Sequence, residues 1–324
     1  MHPKITVLIA AAGQPELLRR TLRSLAECAK PAGFQHTLIV ENGPKCGIEQ
    51  VAKSCPREES VRYLYVPEAN KSHALNVALT KLDDELIFFT DDDVQLDPQT
   101  LMAYAEGAVG VTGGECYGGP LIAEYEGDPP VEWMLKLLPK TARGWTMDVD
   151  TKTRITDRTF LGPNWAAFAS DLREIGGFET RIGPGGATGS TGQETDAQRR
   201  LFAHGVKAFY LPNALAWHFV RNKCLTRQWI VERAYRHGLE WGIRRGRDPN
   251  FSRARVMLSW IWAYRRRLSS SLLKRMGSDR RKLIAEYFES RWRGRCDGIA
   301  ISRRWDTIPR PAAIAELAQQ RRAA

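Results

Sequence analysis

Three aspartates in a row, Asp91, Asp92 and Asp93, follow directly on the apolar residues Phe88 and Phe89 and on Thr90. Like charges at this spacing repel, so the cluster costs stability unless a cation sits among them. Oxygen donors of this kind suit Mg2+ or Mn2+. Such an ion bridges carboxylates to a diphosphate and neutralises the charge that grows as the diphosphate departs. The competing reading is a solvated acidic turn that caps a helix. Asp97-Pro98 already supplies a cap and a first helical residue for a helix over 99–106, which leaves the three aspartates free for an ion.

A second group of carboxylates, Glu194 and Asp196, opens a helical stretch that ends near Gly205, after the glycine-rich run 183–189. Carboxylates at a helix N-terminus are favourable for stability alone. A glycine-rich loop leading into two of them also fits a lid and a general base. His218 stands among Ala216, Trp217 and Phe219. A histidine in that company is either packed into the core or, if the fold brings it to Asp93, a metal ligand.

These residues need a scaffold, and the pattern of the first 90 residues provides one. Ile5–Ile9 is a continuous, β-branched apolar run, as expected of a strand buried on both faces. Gly13 and Pro15 break it, and Leu17, Leu18, Leu22 and Leu25 then recur at helical spacing. Further strands are expected at 37–40, 61–66 and 85–90, with a helix over 73–82. This is an α/β order with a mostly parallel sheet, whose ligands sit beyond the carboxyl ends of the strands. The segments just after the strands, 10–13, 41–43, 67–71 and 91–93, are therefore the candidate site. The stretch 113–160 reads as irregular, and the chain after 221 as helical.

Charge divides the chain at the same place. Residues 1–220 carry 22 Lys+Arg and 28 Asp+Glu, a balance of 22 − 28 = −6; residues 221–324 carry 26 and 9, a balance of +17. Two parts are expected, 1–220 for catalysis and 221–324 as a basic helical extension. Within the extension two stretches have the composition of a helix lying on an anionic membrane surface: Trp229, Ala234, Trp241 and Ile243 mix with Arg227, Arg233, Arg236, Arg244 and Arg245, and Leu258, Trp260, Ile261, Trp262 and Tyr264 run into Arg265-Arg266-Arg267. No base-reading motif is visible, so nucleic acid is not an expected partner. None of the six cysteines forms a CxxC pair, which points to reduced thiols rather than a zinc site or a disulfide framework. With no secretory leader or run of about 20 apolar residues, the expected location is cytoplasmic, peripheral on the inner face of the membrane.

The order of these features resembles family 2 glycosyltransferases of the GT-A fold. The resemblance covers roughly residues 5–220. It rests on Pro15-Glu16-Leu17-Leu18, Glu41-Asn42-Gly43, Asn70–Asn76, Asp91-Asp92-Asp93, Gly162–Ala166 with Ile175–Phe178, Gly192–Asp196 and Pro212–His218. It implies an inverting, metal-dependent transfer of a sugar from a nucleotide-diphosphate-sugar donor to an acceptor hydroxyl, on a glycan or a lipid-linked acceptor of cell-surface polysaccharide or glycolipid synthesis. Residues 1–110 would bind the donor and 111–220 the acceptor. By the same resemblance Glu41 reads the base, with Asn42, Lys71 and Asn76 also on the donor. Asp91 and Asp92 lie on the ribose and diphosphate side, and Asp93 and His218 hold Mn2+ or Mg2+. Asn164 and Trp165 face the acceptor, and Glu194 is the base with Asp196 as second candidate. Ala10–Gly13 departs from the family's usual turn, so donor contacts at Ala11 would be made by backbone. The alternatives are a non-catalytic binding protein of the same fold and a sugar-phosphate nucleotidylyltransferase. Residues 10–14 lack the cationic glycine-rich loop that the latter would need.

Overall fold

The computed structural model describes residues 2–57, 60–252, 257, 258, 260–262, 264, 265, 278–312, 314, 316 and 317. The first strand, β1 (Ile5–Ala11), is buried along its whole length. It stops at Gly13, which takes a positive φ of 79°, and Pro15 opens α1 (Pro15–Glu27). Leu18, Leu22 and Leu25 turn inward from α1, as their spacing requires. β2 (Phe34–Asn42), α2 (Ile48–Lys53), β3 (Val61–Val66), α3 (Lys71–Leu79) and β4 (Leu86–Asp91) follow. The expected helix over 73–82 thus starts earlier, because the Asn70 side chain accepts the His73 N–H at 3.0 Å and caps it.

The remaining elements are β5 (Val94–Leu96), α4 (Thr100–Gly107), β6 (Glu115–Gly118), β7 (Leu121–Tyr125), α5 (Glu132–Leu135), β8 (Thr153–Ile155), β9 (Trp165–Phe168), α6 (Ala169–Glu174), α7 (Gln193–Ala203), β10 (Lys207–Tyr210), β11 (Ala216–Val220), α8 (Arg227–Gly246) and α9 (Asp279–Ser302). An eight-stranded sheet runs in the order β3-β2-β1-β4-β9-β6-β10-β8. The β3-β2-β1-β4 half is wholly parallel, while β9 and β8 are antiparallel to their neighbours. Ile5, Val7 and Ile9 of β1 enter one apolar cluster and Leu8 and Ala10 the other. That is why the strand reads as a continuous apolar run.

The sequence β1, then β2 on one side and β4 on the other, makes a topological switch at the carboxyl ends of β1 and β4. Ala11 and Asp91 lie at those ends. After Asp91 the chain bends into β5, which joins β11 and β7 in a second, three-stranded sheet. The free side of β5 is held by α1: Val94 N–H donates to Thr21 Oγ1 and Leu96 N–H to Ser24 Oγ, both at 3.1 Å. This corner fixes Asp92 and Asp93 between the two sheets. The segment expected to be irregular, 113–160, contains β6, β7 and β8; strands of three to five residues leave too little alternation to read.

The basic extension is largely the helix pair α8 and α9. They pack backbone to backbone. A Cβ on Gly238 would lie 2.2 Å from the Arg291 carbonyl oxygen, one on Gly242 2.2 Å from that of Arg295, and one on Gly298 2.4 Å from that of Leu239. Residue numbers rise together along this seam, so the two helices are parallel. Nor is the pair separate from the rest. Val220 packs with Ile230 and Ala234, and Ile243 with Ile182 and Trp305. No helix among the described residues is long and apolar enough to cross a membrane.

Candidate active site

A cleft of about 510 Å³ opens where the two sheets, α7 and α8 meet; Lys71, Asp91, Asp93, Gly162, Glu194, His218, Arg221 and Arg233 are among its lining residues. The three aspartates have separate tasks. Asp91 Oδ1 accepts from Lys71 Nζ at 2.5 Å. Asp92 Oδ2 accepts from the Ala12 N–H at 3.4 Å, which ties it to the turn after β1. Burial, with Asp93 and Asp91 alongside, pushes the Asp92 carboxyl up to about 7. Asp93 Oδ1 lies 3.5 Å from His218 Nε2.

The Asp93–His218 pair offers an oxygen and a nitrogen donor, and its surroundings test whether a cation would fit there. The His218 Nδ1–H donates to the Thr141 carbonyl at 2.9 Å, which turns Nε2 toward Asp93. A histidine held through its other nitrogen by a carbonyl is the usual arrangement of a metal ligand. Asp93 Oδ1 is buried and has no hydrogen-bond donor, its approach to His218 being an ionic contact. Burial works against charge on both groups, yet each sustains the other: the imidazole is held above its usual value and the carboxyl below. Among the described residues no three His, Cys, Asp or Glu side chains are placed to enclose an ion. Asp93 and His218 fit one whose other ligands are phosphate and water, as Mg2+ and Mn2+ sites on diphosphates commonly are.

Glu194 stands in the first turn of α7, after Gly192 at a φ of 94°. Its Oε1 is 3.3 Å from Lys71 Nζ, so the ammonium lies between Asp91 and Glu194. Burial alone would push Lys71 down; the two carboxylates outweigh it and hold the ammonium above its usual value. Gly162 closes over Glu194, where a Cβ would come within 2.8 Å of the carboxyl carbon. Asp196 points elsewhere. It pairs with Arg200 at 2.8 Å and lines a separate 250 Å³ pocket with Arg247 and Arg310.

Four of the expected site residues are buried, and three of them have their polar groups engaged within the fold. Asn164 is fully buried and binds Tyr104 Oη, the Pro120 carbonyl and the Ala214 carbonyl, each at 2.8 Å. Trp165 is fully buried, stacks on Phe89 with ring centroids 4.6 Å apart, and has an indole nitrogen without a hydrogen-bond partner. Gly162 and Pro163, just before them, line the cleft. Asn76 clamps Phe178 through both its amide oxygen and its amide nitrogen. Glu41 is fully buried, accepts from the Cys46 N–H at 2.7 Å and from Tyr63 Oη, and so orders the 43–47 turn rather than presenting its carboxylate to a base. Burial works to raise the Glu41 carboxyl, and the Tyr63 and Cys46 hydrogen bonds overcome it and lower it. Asn42 sits beside it, itself buried.

The sequence assigns Arg233 to a membrane-facing helix and not to the site, but Ile230 and Ala234 of that helix are buried. Arg233 reaches the cleft from α8, and its Nε is buried without a hydrogen-bond partner. Burial lowers this guanidinium from its usual value, opposed by Glu194 and aided by Arg236. Arg221 and Lys223 join it. The cleft therefore pairs a carboxylate side with a cationic side, the complement of a diphosphate joined to a sugar.

A parallel-stranded nucleotide-binding sheet, a carboxylate cluster at its switch point and a cationic wall define a GT-A glycosyltransferase. The family model described as "Glycosyltransferase like family 2" matches residues 2–234, and the chain belongs to that family. No curated protein matches the sequence. Among solved structures, the chain is similar to the mannosyltransferase PcManGT from Pyrobaculum calidifontis, in complex with GDP-Man and Mn2+. The identity is 15% and the TM-score 0.57, over 94% of this chain and 88% of that one. It is also similar to residues 1–349 of S. aureus TarS in complex with UDP-GlcNAc, at 11% identity and a TM-score of 0.52, over 94% and 92% of the two chains. GalNAc-T7 with UDP, GalNAc and Mn2+ matches at 10% identity and a TM-score of 0.51, over 76% of this chain and 51% of its own.

Proposed function

We propose that this cleft transfers a sugar from a nucleotide-diphosphate donor to an acceptor hydroxyl with inversion at the anomeric carbon. The observation that carries the reading is the placement of Glu194 in the same cleft as the Asp93–His218 pair. Glu194 accepts the proton of the attacking hydroxyl as the new glycosidic C–O bond forms and the bond from the anomeric carbon to the diphosphate breaks. One displacement on the face opposite the leaving group inverts the centre. Lys71 orients Glu194, and Arg233, with Arg221 and Lys223, receives the departing diphosphate. Asp93 and His218 would hold Mg2+ or Mn2+, whose chemistry is to neutralise charge on that leaving group. The acceptor in this reading is a glycan or a lipid-linked hydroxyl.

A panel of UDP- and GDP-sugars with Mn2+ and candidate acceptors tests it. The expected products are nucleoside diphosphate and a glycoside of opposite anomeric configuration to the donor. Release of pyrophosphate, or retention of configuration, would overturn the proposal.

A further inference from the structure

Of the nine large apolar side chains exposed among the described residues, six lie in one short stretch: Met257, Leu258, Trp260, Ile261, Trp262 and Tyr264, between 45% and 64% exposed. The other three, Val109, Ile122 and Val131, are scattered, as single exposed apolar residues ordinarily are. Concentration of the rest at one place marks a surface that meets something apolar. Residues 257, 258, 260–262, 264 and 265 are helical. Trp262 stacks on Trp292 of α9, centroids 6.3 Å apart and planes inclined by 21°, which fastens the stretch to the helix pair.

Charge identifies the occupant. The Arg265 guanidinium lies 5.5 Å over the Trp262 ring, Arg295 stands 4.3 Å over Trp292, and Arg266 and Arg267 follow in the sequence. A second copy would bring arginine against arginine. An anionic bilayer accepts both components at once, apolar rings at the headgroup level and guanidinium groups on the phosphates. The apolar run is too short to cross a bilayer, so contact is confined to one leaflet.

We propose that Met257, Leu258, Trp260, Ile261, Trp262 and Tyr264, with Arg265, form a membrane-docking face that binds anionic lipid surfaces. This is independent of the sugar chemistry, and its test needs no turnover. The full chain is sedimented with phosphatidylcholine vesicles with and without phosphatidylglycerol, at low and high salt. Wild type should pellet with the anionic vesicles only, and less at high salt. The double variant Trp260→Asp/Ile261→Asp should lose about ten-fold or more in partitioning, with its thermal midpoint unchanged because both side chains are exposed. Should that variant unfold, Met257→Asp/Leu258→Asp makes the same test. Equal partitioning of wild type and variants overturns the proposal, as does failure of wild type to pellet. So does lipid-free sedimentation showing that the patch joins two copies instead.

Discussion

Lys71 Nζ stands 3.3 Å from Glu194 Oε1 while hydrogen bonding to Asp91 at 2.5 Å, so one ammonium spans the donor strand and the proposed base. Removing it leaves two carboxylates facing each other with no cation between. Two like charges left unpaired at this distance repel and swing apart, so the side chain that takes the proton loses its position. Lys71→Met should therefore lower kcat/KM about ten-fold or more, the scale of one lost charge-assisted hydrogen bond. An unchanged kcat/KM in steady-state assays would show that Lys71 does not position the base.

Glu194→Gln keeps the shape of the side chain and removes its proton acceptor. Turnover should fall about 100-fold or more, the scale of a general base, with donor affinity nearly unchanged. Asp196→Asn should stay near wild type, because Asp196 is held by Arg200 outside the cleft. Kinetics of the two variants side by side decide the assignment; a dead Asp196→Asn with a live Glu194→Gln reverses it.

Asp93→Ala should abolish Mn2+-dependent binding of nucleoside diphosphate in calorimetry while leaving the fold intact. The carboxylate it removes sits beside Asp92, which is already pushed toward protonation by its neighbours. Nucleotide affinity that remains Mn2+-dependent in Asp93→Ala would place the ion elsewhere.

Arg233→Met exchanges a buried, incompletely satisfied guanidinium for an apolar chain of similar length. Uncompensated buried charge is destabilising, so the thermal midpoint of the ligand-free protein should hold or rise. Nucleoside-diphosphate affinity should drop about ten-fold, the scale of one lost charge-assisted hydrogen bond. A lower midpoint with unchanged affinity would make Arg233 a structural residue.

Two histidines cost stability as pH falls, opposed in part by Asp92, whose raised pKa favours the folded state over the same range. Burial first and Arg62 second push His36 down to about 4; burial, Arg233 and Arg291 push His237 to about 3. The unfolded chain protonates its histidines near 6.5. Below that pH the unfolded state binds more protons than the folded one, so stability is full above about 6.5 and falls as pH drops toward 4. Each group contributes a slope of up to about 1.4 kcal/mol per pH unit in that window. Urea unfolding between pH 7.5 and 4.5 should show the decline, and His36→Gln should flatten part of it.

The chemistry-bearing carboxylates were legible because each follows a strong local signal. Asp91–Asp93 terminate a buried strand, and Glu194 opens a helix behind glycines. Burial was not legible at Asn164, Trp165, Asn76 and Glu41. A polar residue in a motif looks the same in sequence whether it faces a ligand or closes hydrogen bonds inside the fold, and here all four are enclosed. Arg233 escaped for the opposite reason: one arginine among many in a basic helix has no pattern to mark it, and only packing of α8 on the cleft singles it out. The second sheet escaped because β5, β7 and β11 are short and come from three distant parts of the chain.

The parallel course of α8 and α9 constrains how such a chain can diversify. After Gly246 the backbone must travel back the length of a 20-residue helix, about 30 Å, before α9 begins. The glycine seam between the two helices leaves no latitude, because any side chain on it displaces α8, and Arg233 with it. Drift at Gly238, Gly242 or Gly298 would therefore surface as an apparent defect of the cleft, although none of the three lines it.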